Sequence, residues 1–316
     1  MADDSTTDMA NRDQSAAPKV WLDMDQARLD WAYDQSHHAT NQQQVLRRRD
    51  LASERTRQRL GEPARHRYGA SAAEELDCWM PKQSPLATAA GVPAMLFIHG
   101  GAWRGGLASN YAFVADPVVQ AGCAALIADF LPVTELDGDL IRMTDQVRRA
   151  IAWVAKNAAS LGIDPSRVHL VGHSSGAHLA SAAMAIDWAD RFSLARPPIA
   201  SLTVCSGMYD LRPVSLSARS SYVRFTEAAI EQLSAIRHLK TLNVPLTIAW
   251  GSLESPEFQR QGSEYADAAE AAGLDVTRIF AEGYNHFEIL ETLANPFGLV
   301  ASALLSQINR ATASAG

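Results

Sequence analysis

The stretch VHLVGHSSGAHLA, from Val168 to Ala180, constrains the fold of this chain more than any other segment. It begins as a β-branched apolar run and ends with the composition of a helix start. Between them lies Gly-His-Ser-Ser-Gly, a G-x-S-x-G pattern centred on Ser174. A strand, a sharp turn and a helix in this order expose a serine hydroxyl at the edge of a sheet. The glycines on either side of the serine allow the backbones of the strand and the helix to approach each other closely. The stretch therefore predicts a nucleophilic serine, with an ordinary Gly/Ser turn as the alternative.

Apolar runs alternate with helix-like segments along most of the chain. Long helices are predicted over 140–161 and 257–272, and from about 287 to 308. We expect strands near 66–68, over 76–79, 93–99, 124–130, 200–205, 245–250 and 276–280, and from just after the Asp164-Pro165 turn into the Ser174 turn. Continuously apolar strands separated by helices predict a mostly parallel sheet flanked by helices. Such sheets bind ligands at the carboxyl ends of their strands.

The chain divides by composition into three segments. Residues 1–18 are polar and are expected to form a disordered tail. Residues 19–64 carry apolar positions at helical spacing and predict an N-terminal helical cap segment. Residues 65–312 are expected to form the main domain, in which an insertion at 207–243 contributes to the cap.

Composition excludes several classes of function. The net charge is −7, and Arg47-Arg48-Arg49 is the only basic block, so we expect no nucleic-acid partner. No apolar run is long enough for a membrane helix, and no secretory signal is visible. Three cysteines without paired spacing favour a reducing compartment, so a cytoplasmic location is expected. His37-His38 lacks further ligands at useful spacing, so no metal site is expected.

Ser174 requires a base, because a serine hydroxyl is a poor nucleophile until an imidazole takes its proton. His286 is the best candidate, since it follows the last predicted strand by a few residues, in the chain order nucleophile, acid, base. The acid should follow the strand at 245–250. Glu254 is favoured there, and Glu257 is the rival, although directly after Pro256 it is better placed to begin a helix.

The turn His99-Gly100-Gly101-Ala102-Trp103 follows a buried strand and predicts an oxyanion hole. We assign its donors to the backbone N–H groups of Gly101 and Ala102, together with that of Ser175. Trp103 fits an aromatic substrate pocket or the core equally well. His173 and Tyr284 are further pocket candidates, although His173 and His178 suit packing or polar networks better than catalysis.

These motifs together resemble the kynurenine formamidase (arylformamidase) group of α/β-hydrolases. The resemblance covers about residues 25 to 300, and the segments that narrow it beyond esterases and lipases in general are Tyr-Asp-Leu-Arg-Pro at 209–213 and Ser-Pro-Glu-Phe at 255–258. It rests on Ala32-Tyr33-Asp34-Gln35, His99–Trp103, Gly172–Ala180, Ser206–Pro213 and Ser255–Phe258.

The resemblance implies an α/β-hydrolase fold and hydrolysis of N-formylkynurenine to kynurenine and formate, and it also fits related bacterial carboxylesterases. The family usually has Asp where this chain has Glu254, and an acid where it has Asn285. Substrate preference is the property that these two departures affect most. Esterases of this kind are often dimers, so a homodimer is among the expectations.

We therefore expect a serine hydrolase that cleaves a small formamide or short-acyl ester without a cofactor or metal. A short-acyl carboxylesterase unrelated to tryptophan breakdown is the first alternative. The second is a catalytically inactive α/β-hydrolase that acts as a ligand-binding module, because fold alone does not establish activity.

Overall fold

A computed structural model describes residues 17–194 and 198–313. The tail predicted for residues 1–18 lies outside this part of the chain, apart from its last two residues. The predicted division into a cap and a main domain is not tested by the fold alone and stays a prediction.

Eight strands form one sheet in the order β1-β2-β4-β3-β5-β6-β7-β8. The second strand, β2, pairs antiparallel with both of its neighbours, β1 and β4, and all the other pairs are parallel. The predicted mostly parallel sheet is therefore confirmed. The strands are β1 (Ala64–Arg67), β2 (Glu75–Trp79), β3 (Val92–Ile98), β4 (Ala124–Ala128), β5 (Ile163–His173), β6 (Ser201–Cys205), β7 (Leu246–Gly251) and β8 (Val276–Ala281).

Helices cover both faces of the sheet, because successive strand residues point to opposite sides. Leu96 and Ile98 join one buried cluster, whereas Met95 and Phe97 join another on the opposite face. Buried residues of α4, α5 and α9 complete the first cluster, and those of α3, α10 and α11 complete the second. The helices are α1 (Gln26–Ala32), α2 (Gln42–Leu60), α3 (Ala115–Gln120), α4 (Leu140–Asn157), α5 (Ser175–Met184), α6 (Trp188–Phe192), α7 (Leu211–Ser215), α8 (Glu227–Leu233), α9 (Pro256–Ala271), α10 (Glu288–Glu291) and α11 (Leu299–Ala313).

The single C-terminal helix predicted from about residue 287 to 308 is wrong. The segment forms α10, a 3-10 turn at Thr292–Ala294 and α11, with Asn295 in an extended conformation between them. Pro296 disfavours a helical conformation at the preceding residue and cannot donate a helical hydrogen bond. A Cβ at Gly298 would also lie 2.1 Å from the carbonyl oxygen of Thr292, so the chain turns tightly here.

The Asp164-Pro165 turn lies inside β5 instead of before it. Asp164 Oδ1 accepts hydrogen bonds from the backbone N–H and the hydroxyl of Ser166, at 2.9 and 2.6 Å. The register against β3 shifts across this bulge, because Val92 pairs with Ile163 and Ala94 pairs with Val168. The apolar half of β5 after the bulge then leads directly to Ser174.

In the described part of the chain, no single helix is long and apolar enough to cross a membrane. Together, the bent pair Glu288–Ala294 and Leu299–Ala311 satisfies length and composition. Its apolar side chains, such as Leu293 and Leu304, are buried against the sheet, as expected for core helices.

His99, His169 and His178 are buried in the interior as neutral rings. Burial lowers the pKa of His99 and His169 to about 4 and that of His178 to about 3. The ring nitrogens of His169 and His178 contact polar partners, such as the Ser201 hydroxyl 2.7 Å from His169 Nδ1. An unfolded histidine has a pKa of about 6.5, so between about pH 4 and 6.5 the unfolded chain binds more protons than the folded one.

Stability should therefore fall as pH falls from about 6.5 towards 4. His178→Gln removes one of the depressed groups, so its free energy of unfolding should depend less steeply on pH, by up to about 1.4 kcal/mol per pH unit. Urea denaturation of wild type and variant at about pH 7 and about pH 5 measures the difference. Equal pH dependence in the two proteins would contradict the account.

Candidate active site

The candidate nucleophile lies in a strained turn between β5 and α5. Ser174 has φ 57° and ψ −127°, and its backbone N–H donates to the Cys205 carbonyl at 2.9 Å. A Cβ at Gly176 would lie 2.1 Å from the carbonyl oxygen of Ile98, and one at Gly172 would lie 2.5 Å from that of Gly176. Both positions therefore need glycine, as expected from the sequence, because strand and helix backbones meet there.

The loops after β7 and β8 bring the predicted acid and base to this serine. His286 Nε2 lies 2.8 Å from Ser174 Oγ, and His286 Nδ1 lies 3.3 Å from Glu254 Oε2. The three side chains thus form a continuous contact chain from carboxylate to imidazole to hydroxyl. This is the geometry in which an imidazole can take the proton of a serine and a carboxylate can orient the ring.

Two hydrogen bonds hold the other oxygen of Glu254 in a fully buried position. Glu254 Oε1 accepts from the Ser206 hydroxyl at 2.6 Å and from the backbone N–H of Gly251 at 2.7 Å. A buried carboxylate without such partners would be strongly unfavourable. These donors leave Oε2 directed at the imidazole.

The rival carboxylate has other partners. Glu257 lies in the first turn of α9 and pairs with Arg260 at 2.7 Å. It also accepts a hydrogen bond from the Tyr33 hydroxyl at 2.9 Å. The structure therefore brings Glu254, and not Glu257, to His286.

A cavity of about 470 Å³ opens beside Ser174. Gly101 and Ala102, two of the predicted oxyanion donors, line it and have φ values of 129° and 53°. The third, Ser175, is the first residue of α5, where a backbone N–H has no acceptor within the helix. The cavity is lined by Asp34, Gln35, Ser36, Gln42, Leu46, Arg49, Gly101, Ala102, Arg104, Tyr111, His173, Ser174, Arg219, His286 and Phe287.

Of the three predicted pocket residues, only His173 lines this cavity. Trp103 is buried in the core, where its indole N–H donates to His178 Nδ1 at 3.1 Å, so of the two positions left open for it the structure favours the core. Tyr284 packs against the second core cluster, and its carbonyl accepts the N–H of Leu253, so it joins the acid and base loops instead of forming the cavity wall.

His173 holds the backbone of the candidate base. Its Nε2 lies 2.9 Å from the carbonyl oxygen of His286, which can only accept, so this nitrogen carries the proton. Burial, together with the nearby His286 and Arg49, lowers the pKa of His173 well below its usual value. The ring is therefore neutral and acts as a donor to the loop.

The N-terminal segment also holds the acid loop. Gln35 Nε2 donates to the Ser255 hydroxyl at 2.7 Å, and Gln35 Oε1 accepts the Ser255 N–H at 3.2 Å. The Ser255 hydroxyl in turn donates to the carbonyl of Ala32 at 2.6 Å. Residues more than 200 positions apart in the chain thus fix the loop next to Glu254.

The same segment holds the base loop. Asn285 Nδ2 donates to Asn41 Oδ1 at 2.9 Å, and Asn285 Oδ1 accepts the N–H groups of Phe287 and Glu288. Asn41 also donates to the carboxylate of Glu288, at 2.5 Å. The asparagine that departs from the family pattern therefore ties the base loop to the start of α2.

Sequence reasoning missed several residues at the site. Ser206 directly follows β6, and its position at a strand end was an available signal. Asn41 and Arg49 had no such signal, because they reach the site from a distant segment, although Arg49 belongs to the single basic block. Among the residues that the structure describes, no three His, Cys, Asp or Glu side chains are grouped to hold a metal ion.

Comparisons with known proteins agree with this architecture. The BD-FAE family model matches residues 76–193. A kynurenine formamidase from Danio rerio is 32% identical over 248 residues, which cover 77% of this chain and 80% of the fish protein. The chain belongs to the kynurenine formamidase-like α/β-hydrolase family. Another family member, the kynurenine formamidase of Salmo salar, is 30% identical over 72% of this chain and 76% of its own length.

A solved structure shows the same fold at lower identity. The crystal structure of a candidate thioesterase from Silicibacter sp. superposes with a TM-score of 0.75 and 22% identity, covering 88% of this chain and 98% of that one. The α/β-hydrolase fold expected from the resemblance is confirmed. Membership of the kynurenine formamidase-like family, and not this structural likeness, supports a hydrolase of the α/β-hydrolase type.

The glycine at the start of α5 provides a direct test of how the site of this family member is built. Gly176→Ala should destabilise the protein by about 2 kcal/mol or more, because its methyl group would meet the backbone of β3. Gly105→Ala is the matched control, since its Cβ would have only an ordinary contact at 3.9 Å. Denaturant titration of both variants measures the effect, and equal stability would contradict the close approach.

Proposed function

We propose that this protein is a serine hydrolase with Ser174 as nucleophile, His286 as base and Glu254 as the orienting acid. Its leading substrate is N-formylkynurenine, which would be hydrolysed to kynurenine and formate. The observation that carries the proposal is the contact chain from Glu254 through His286 to Ser174, which lies beside a cavity at the carboxyl ends of the parallel strands.

Acylation is the first half of the reaction. His286 Nε2 takes the Ser174 proton while Oγ attacks the formyl carbonyl carbon, which forms a C–O bond and moves an electron pair onto the carbonyl oxygen. Backbone N–H groups of Gly101, Ala102 and Ser175 would stabilise this oxyanion. The protonated imidazole then donates its proton to the leaving amine nitrogen as the C–N bond breaks.

Deacylation returns the enzyme to its starting state. His286 takes a proton from water, whose oxygen attacks the formyl ester, and then returns that proton to Ser174 as the C–O bond to the serine breaks. Throughout both steps the buried Glu254 carboxylate would stabilise the positive charge that develops on the imidazole. No cofactor or metal takes part in this scheme.

The substrate assignment is supported by membership of a family whose fish members are named kynurenine formamidases. Short-acyl ester hydrolysis uses the same attack and the same oxyanion, so it is the second candidate. The cap prediction fits this proposal, since Asp34, Gln35 and Leu46 from the N-terminal segment and Arg219 from the insertion line the cavity.

Replacing Glu254 and Glu257 separately with glutamine tests which carboxylate serves as the acid. Glu254→Gln should lower kcat by about 10³-fold or more, because an amide cannot stabilise the imidazolium. Glu257→Gln should stay within about tenfold of wild type, since this carboxylate contacts Arg260 and Tyr33. Steady-state kinetics with a common ester substrate measures both, and similar losses in the two variants would contradict the assignment.

Ser174→Ala should abolish turnover of every substrate and labelling by a fluorophosphonate probe, because both need the same hydroxyl. The ratio of kcat/KM for N-formylkynurenine to that for p-nitrophenyl acetate distinguishes the two substrate classes. Turnover of the ester alone would favour the carboxylesterase. Absence of both turnover and labelling in the folded wild-type protein would favour a ligand-binding module.

A further inference from the structure

Three arginines line the cavity beside Ser174. They are Arg49 from α2, Arg104 from the turn after β3, and Arg219 from the insertion. In the part of the chain that the structure describes, none of the three lies within 4.0 Å of a carboxylate oxygen. Unpaired cations around a concave site create a positive potential that favours an anionic ligand.

Arg49 is the most unusual of these cations because it is buried, with an exposed fraction of 5%. Of its three guanidinium nitrogens, only Nη2 donates to an acceptor in the described residues, the carbonyl oxygen of Phe287. Its Nε–H has no partner there. Burial lowers the pKa of Arg49, and the more distant Glu291 carboxylate opposes this shift only in part, as expected for a guanidinium removed from water without a carboxylate in direct contact.

The other two arginines also retain unused donors. Arg219 donates to the Tyr222 hydroxyl at 3.0 Å and to the Tyr33 carbonyl at 2.7 Å, while its buried Nε–H lacks an acceptor among the described residues. The guanidinium of Arg104 lies 4.6 Å from the centroid of the Tyr222 ring and is exposed.

One carboxylate lines the same cavity; it is attracted to Arg219, but its direct contacts are with other groups. Asp34 Oδ1 accepts from the backbone N–H and the hydroxyl of Ser36, and Oδ2 lies 3.5 Å from His37 Nε2. The adjacent His173 is neutral because of its lowered pKa. The arginines therefore outnumber the acidic group among the described lining residues, and the cavity has an excess of positive charge.

We propose that Arg49 and Arg219 form a carboxylate-binding subsite, so that the hydrolase selects substrates whose leaving group carries a carboxylate. The selectivity part of this proposal rests on the proposed serine-hydrolase function. A planar guanidinium with unused N–H donors matches the geometry of a carboxylate. A bound carboxylate would also supply the direct ion-pair partner that Arg49 lacks among the described residues.

A purely structural role for Arg49 makes a different prediction. Its bond to the Phe287 carbonyl adjoins His286, so Arg49 could act only by positioning the base loop. Loss of that bond would then lower turnover of charged and neutral substrates by the same factor. The ratio between two matched substrates separates the two roles.

The test compares 3-carboxyphenyl acetate with 3-carbamoylphenyl acetate, which differ in charge but little in shape. Wild type should have a kcat/KM about 10- to 100-fold higher for the carboxylate, as expected for charge-assisted hydrogen bonds. Arg49→Gln should bring this ratio close to one, whereas Arg49→Lys should keep part of it. Arg47→Gln, an exposed arginine of the same helix outside the cavity lining, should leave the ratio as in wild type.

Arg219→Gln is a second variant in case loss of the buried Arg49 prevents folding. It changes a half-buried side chain and should also lower the ratio. A wild-type ratio near one would overturn the selectivity, as would a wild-type ratio in every arginine variant that folds.

Equilibrium binding separates this inference from the proposed chemistry. In Ser174→Ala, calorimetry should show 3-hydroxybenzoate binding about 10-fold or more tightly than 3-hydroxybenzamide, and Arg49→Gln or Arg219→Gln in that background should remove the difference. This result would support the subsite even if hydrolysis at Ser174 were disproved. Equal binding of the two ligands would overturn the subsite and leave the serine mechanism intact.

Discussion

The close approach of the β5–α5 turn to the end of β3 is the constraint on which the site depends. The backbone of α5 at Gly176 lies so near the carbonyl of Ile98 that a methyl group has no room. In this turn Ser174 has a positive φ and lies beside the turn after β3. The candidate nucleophile and two predicted oxyanion donors are therefore adjacent before any loop from the second half of the sheet is added.

The remaining parts of the site come from loops that follow other strands, and a distant segment holds them in place. Gln35 bonds to Ser255 in the acid loop, and Asn41 bonds to Asn285 in the base loop. One segment thus links both loops and also forms part of the cavity wall. Changes in residues 25–60 should therefore affect the site geometry as well as access to it.

Burial lowers the pKa of the interior histidines and of Arg49 alike, but it leaves them in different charge states. The interior histidines remain neutral, because an imidazole can lose its proton at little cost when it is desolvated. An arginine cannot, so the buried guanidinium of Arg49 keeps its charge beside the cavity. The composition alone did not indicate this local excess of positive charge, since the chain as a whole has a net charge of −7.

The sequence by itself determined the alternation of strands and helices, the turn at Ser174 and the position of His286, because each depends on residues close together in the chain. The break before α11 was missed, since the apolar spacing on either side of Pro296 resembles one helix. Only the tertiary structure decided that Glu254 faces the imidazole while Glu257 faces Arg260, and that Trp103 belongs to the core. It also brought Arg49 to the cavity. These outcomes depend on side-chain directions and on contacts between distant segments, which local spacing does not specify.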